Sequence, residues 1–91
     1  MRRKLHIGLS LAPTWLSGEA WRRDDSRVEG IYTPGFAIDI ARRAEAAKLD
    51  FVFLPDVQML NLPDHAKGAA FSSLDPTILL GAVATATSRI G

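Results

Sequence analysis

Asp56 is the best placed of the few residues in this chain whose chemistry suits a ligand. It closes the stretch LDFVFLPD, residues 49–56, in which five apolar residues run straight into a carboxylate. A carboxylate delivered by a rigid strand can accept hydrogen bonds from a polar ligand. It can equally cap the amides of the loop that follows, and the residue types leave the two readings level. His65 could act as a base, although a lone loop histidine is more often structural or solvated. His6, His65 and the scattered aspartates lack the spacing of a metal-ligand set. Trp15 and Trp21 could wall a pocket for a planar ligand, or simply anchor their loop. Within WRRDDSR, residues 21–27, Arg22, Arg23 and Arg27 could clamp an anion. Neutralisation by Asp24 and Asp25 in a loop salt-bridge cluster is the simpler account. The chain has no G-x-G-x-x-G fingerprint, no phosphate loop and no G-x-S-x-G elbow. It also has no cysteine, which excludes thiolate chemistry and disulfides.

The elements that must position these residues alternate. Residues 5–11, LHIGLSL, predict a strand with Leu5, Ile7, Leu9 and Leu11 on one face. A loop over 12–32 follows, and its two tryptophans and one tyrosine imply that it packs over something. Thr33 as cap and Pro34 at the first position predict a helix over 34–48, with Phe36, Ile40, Ala44 and Ala47 inward. Asp39 and Arg43 are spaced to pair on its surface. Residues 50–55 predict a second strand, so uniformly apolar that both faces should be covered, as in a parallel sheet. A loop over 56–74 leads to a helix over 76–88, capped by Asp75 and free of charge throughout. Residues 89–91 begin a third strand.

Strand, helix, strand, helix, strand is parallel βα repetition. It fits a (β/α)8 barrel of which two units and the start of a third strand are present, or an open doubly wound sheet. The loops after both strands then share one end of the sheet, where α/β proteins hold ligands. That gathers Ser10, Trp15, Trp21, Asp56, Met59, His65 and the Asp75 cap. A barrel takes about 250 residues. With 91 residues, an open sheet edge and a charge-free helix, the expectation is a part of a longer chain that is inactive and unstable alone. The formal charge of +1 gives no reason to expect nucleic acid or an anionic membrane. No apolar stretch approaches the ~18 residues of a membrane helix. Export is not expected, because His6 breaks the apolar run behind MRRK and no cleavage site follows. A cytoplasmic protein is the expectation.

In order along the chain, LHIGLSL, the WR at Trp21 and Arg22, ARRAEAAKLDFVFLPD and LDPTILLGAVATATSRIG resemble the amino-terminal part of a known group. The group is the flavin-dependent monooxygenases typified by nitrilotriacetate, dibenzothiophene-sulfone and long-chain alkane monooxygenases, within the bacterial luciferase-like superfamily. The resemblance implies a (β/α)8 barrel and reduced FMN as cofactor. It implies that a separate NAD(P)H:flavin reductase supplies that flavin. Dioxygen then forms a flavin peroxide, which passes one oxygen atom to a small organic substrate. It also implies a homo-oligomer at full length. By the same resemblance Asp56 and Ser10 lie at the flavin, and Trp15, Trp21 and Met59 cover the pocket. Two departures stand out: relatives often have an aromatic where this chain has Ser10, and alanine where it has Pro55. A luciferase-like oxidoreductase transferring hydride with a deazaflavin shares the fold and is the competing enzyme. An inactive remnant of the barrel is the non-enzymatic alternative.

Overall fold

The computed structural model of the chain describes residues 2–11, 20–56 and 74–91. Two short strands are each followed by a helix: β1 (Gly8–Ser10), α1 (Pro34–Ala46), β2 (Phe51–Phe53) and α2 (Pro76–Ala86). Short 3-10 turns at Ala20–Arg22 and Val28–Gly30 precede α1. The strands are parallel, with Gly8 opposite Phe51, Leu9 opposite Val52 and Ser10 opposite Phe53.

Strand side chains alternate between faces, so this register decides what each face carries. Leu9 and Val52 share a face with Leu11 and Leu54, and both helices cover it. Leu11, Ala37, Ala41, Leu79 and Val83 are buried there, with Val52 and Leu54 packed against them. Gly8, Ser10, Phe51 and Phe53 share the other face. It is open among the described residues, with Phe51 43% and Phe53 54% exposed. The apolar run of β2 predicts cover on both faces, and one is covered here. Alternation also predicts Leu5 and Ile7 inward, yet they are 82% and 50% exposed because the core begins beyond them. A Cβ added to Gly8 would overlap the Phe51 ring.

The helix ends follow local chemistry. Asp75 caps α2, its Oδ1 accepting from Thr77 N at 2.9 Å and Ile78 N at 3.2 Å. Thr33 sits at the cap position of α1 but makes no side-chain cap bond; its hydroxyl instead donates to the Gly30 carbonyl at 2.8 Å. α1 stops at Ala46, before the predicted 48, because Lys48 turns left-handed at φ 63°. Leu49 N then donates to the Ala44 carbonyl and Lys48 N to the Glu45 carbonyl, both at 3.0 Å, which closes a Schellman motif.

The buried stripe of α1 is Ala37, Ala41 and Ala44, displaced from the predicted Phe36–Ile40 line. Small side chains let the helix approach the sheet and α2 at once, and the larger residues flank the contact. α2 is charge-free, yet it buries only Leu79 and Val83 and leaves Ile78 74% exposed. Beyond α2, Gly91 N donates to the Asp50 carbonyl at 2.9 Å, and Val52 N donates to the Gly91 carbonyl at 2.8 Å. This is the first rung of a parallel ladder on the edge of β2 away from β1. The side-by-side order is one a barrel requires; it differs from the 2-1-3 order of flavodoxin-like sheets and is shared with the 3-2-1 half of a Rossmann sheet.

Candidate functional site

Parallel strands bring their carboxyl ends to one side of a sheet. Ser10 is the last residue of β1, and Asp56 follows β2 after Leu54 and Pro55. Both are exposed. Ser10 lies on the open face beside its register partner Phe53, and Leu11 N donates to the Phe53 carbonyl at 2.7 Å. A small hydroxyl and an accessible aromatic ring thus stand side by side on the face that no helix among the described residues covers. Phe53 did not stand out in the sequence, where it reads as one of five core residues. The signal was its parity with Ser10, which appears only once the strand register is known.

Trp21 sits in the first 3-10 turn, with the Arg22 guanidinium 4.6 Å from its ring centroid. Its indole Nε1 is shielded from solvent and has no acceptor among the described residues. Trp21, Arg22, Arg23, Ser26 and Glu29 line an open groove that neither Ser10 nor Asp56 reaches. Trp15, Met59 and His65 lie outside the described residues.

The arginines of WRRDDSR divide their tasks. Arg23 makes a two-bond fork to Asp25, at 2.8 and 2.9 Å, which lowers the Asp25 pKa. Arg27 leaves the cluster and bonds Asp39 of α1 at 2.8 Å, with its guanidinium 5.3 Å from the Phe36 ring centroid. Arg43 approaches the same carboxylate at 3.3 Å, as the i,i+4 spacing predicts. The Arg27 hydrogen bond is the main cause that holds the Asp39 carboxyl below its usual range. Arg27 itself adopts φ 58°, so the loop turns sharply where it is tied to the helix. The knot is therefore chiefly a set of surface pairs that pin the segment before α1.

At the opposite end of the strands one more carboxylate, that of Asp50, is engaged. Asp50 Oδ2 accepts from Ile7 N at 2.8 Å while Asp50 N donates to the Ile7 carbonyl at 2.8 Å. His6 Nδ1 lies 3.5 Å from the other oxygen of Asp50. The Ile7 N–H, joined by His6, holds the Asp50 carboxyl below its ordinary range. No group of three or more histidine and acidic side chains that could hold a metal occurs among the described residues. Among them, too, no helix is long and apolar enough to cross a membrane.

No family model matches the chain. It is similar to N-acetyl-S-(2-succino)cysteine monooxygenase of Bacillus subtilis (strain 168), with 29% identity over 90 residues. The likeness is to a monooxygenase. It covers 99% of this chain, and the chain spans 20% of the length of that relative. It is a distant resemblance, and it runs through both βα units rather than through one motif.

Proposed function

We propose that this chain is the amino-terminal part of a (β/α)8 barrel that acts as a flavin-dependent monooxygenase. The likeness over 99% of the chain to a monooxygenase carries the reading. The parallel βαβα order, with the next strand starting beside β2, supports the barrel. The faces left open, Phe51 and Phe53 of the sheet and Ile78 of α2, are those a barrel lines inside and flanks with further helices.

The residues present fit a flavin. Ser10 and Phe53 offer a hydroxyl and a ring together on the uncovered face, and Asp56 follows at the same end of the sheet. In this reading Ser10 and Asp56 hold the cofactor, and the absence of a bulky side chain at position 10 leaves the Phe53 ring accessible. Reduced FMN, supplied by a separate NAD(P)H:flavin reductase, would bring the capacity to activate dioxygen and transfer one oxygen atom. The chain's own part is to orient that cofactor and to exclude water with its apolar inner face. Trp15, Trp21 and Met59 are proposed as cover for the pocket. Because the similar enzyme is named for a substituted cysteine, S-succinated cysteine derivatives are the first substrates to try.

The test is anaerobic titration of reduced FMN into the full-length protein and its Asp56→Asn variant. Asparagine keeps the shape and removes the charge. Loss of one charge-assisted hydrogen bond costs about 1.5–3 kcal/mol, roughly one to two orders of magnitude in Kd. Equal dissociation constants would remove Asp56 from the site. Failure of the wild-type protein to bind reduced FMN at all would overturn the function.

A further inference from the structure

We propose that Glu45 is a proton-controlled latch that holds the segment after α2 in register with β2, and that its release opens that edge of the sheet. One oxygen, Glu45 Oε2, accepts from three successive backbone N–H groups: Ser88 at 2.8 Å, Arg89 at 2.6 Å and Ile90 at 3.0 Å. Consecutive amides turned toward one point form a concavity that favours negative charge. These three amides have no other acceptor among the described residues. α2 has already ended, because Thr87 is extended at φ −124° and ψ 165°. The next residue, Gly91, makes the ladder bonds to Asp50 and Val52. The latch and the first rung of the third strand are thus contiguous.

The surroundings of Glu45 leave it as the controlling group. Arg89, in the segment being held, contributes a favourable charge. α2 contributes none, since residues 76–86 contain no charged side chain. On α1 itself Arg42 turns to the end of α2, its Nε donating to the Ala86 carbonyl at 3.1 Å. On the β2 side, Asp50 is engaged by Ile7. The N–H groups of Arg89, Ile90 and Ser88 hold the Glu45 carboxyl below its ordinary range. The latch is therefore closed at neutral pH and opens only in acid. A protonated or amidated side chain lacks the charge that gathers three donors. Once it lets go, the Asp50 carbonyl and the Val52 N–H become an exposed strand edge.

Hydrogen exchange of the full-length natural protein, followed by mass spectrometry and corrected for the intrinsic pH dependence of exchange, tests this. In Glu45→Ala at neutral pH, protection across residues 87–91 is expected to fall at least about tenfold, while peptides over the buried parts of α1 and α2 keep theirs. In the wild type the same loss is expected to begin below the ordinary glutamate value of about 4.3 and to complete as the pH falls through the lower value of the latched carboxyl, and in Glu45→Gln protection is reduced and does not vary with pH. Wild-type protection at 87–91 in the Ala variant overturns the latch. If that variant does not fold, the wild-type series decides: protection at 87–91 that stays flat down to the pH of global unfolding also overturns it.

Discussion

Ala41 gives the sharpest test of the packing. It is 0% exposed and shares the core with Leu11 at the end of β1 and with Leu79 and Val83 of α2. Replacing it with leucine adds three carbons at a point with no free surface. If room existed, their burial would stabilise by about 0.8 kcal/mol each, roughly 2.4 kcal/mol together. Without room, overpacking costs about 1–3 kcal/mol as α1 is forced from the sheet. Leucine and alanine have similar helix propensities, so the backbone contributes little either way. Ala41→Leu is therefore expected to destabilise by about 1–3 kcal/mol. Ala41→Gly should lose about 1 kcal/mol by propensity. Urea denaturation of the full-length protein measures both, with an unchanged slope showing that the states compared are the same. A leucine variant as stable as the wild type would refute the tight three-way contact.

Other substitutions probe the ends of the elements. Asp75→Ala removes the acceptor for two amides and should cost about 1 kcal/mol, read in the same denaturation assay; Asp75→Asn should restore most of it. Lys48→Gly relieves a left-handed residue and should stabilise by up to about 1 kcal/mol; a loss would show that the lysine side chain contributes more than its backbone costs. The lowered pKa of Asp50 means the folded protein binds its proton less readily than the unfolded chain. Its contribution is present above the unfolded value of about 3.9 and is lost as pH falls through the lower folded value. The stability difference between wild type and Asp50→Asn should therefore shrink in acid, and a difference that is constant from pH ~6 to pH ~2 would contradict the assignment.

The succession of parallel βα units was legible because it depends on local signals: apolar runs, Pro34 and Pro76 at helix starts, and the Asp75 cap. The pairing of Asp39 with Arg43 was legible for the same reason. Thr33 misled because its hydroxyl donates back to the loop carbonyl of Gly30 and does not accept from an amide of the first helical turn. The inward stripe of α1 was misplaced because Phe36 and Ile40 outweigh alanines on any hydrophobicity count, whereas close helix packing favours the small residues. Glu45 and Asp50 could not be found locally, since their partners lie 43 to 45 residues away. At the candidate site, Ser10 and Asp56 followed from strand ends and from resemblance, while Phe53 required the register.

Gly8 has a consequence for how this sequence can change. None of the described glycines has a positive φ, so Gly8 is there for space rather than for backbone freedom. The space is taken by the Phe51 ring, its neighbour across the strand pair. Positions 8 and 51 are therefore epistatic, and the order of substitution matters. Reducing Phe51 first opens the room in which alanine or serine at position 8 becomes neutral. Enlarging Gly8 first drives the ring out over the face that carries Ser10 and Phe53, so a change at the foot of β1 is felt at the mouth of the proposed pocket.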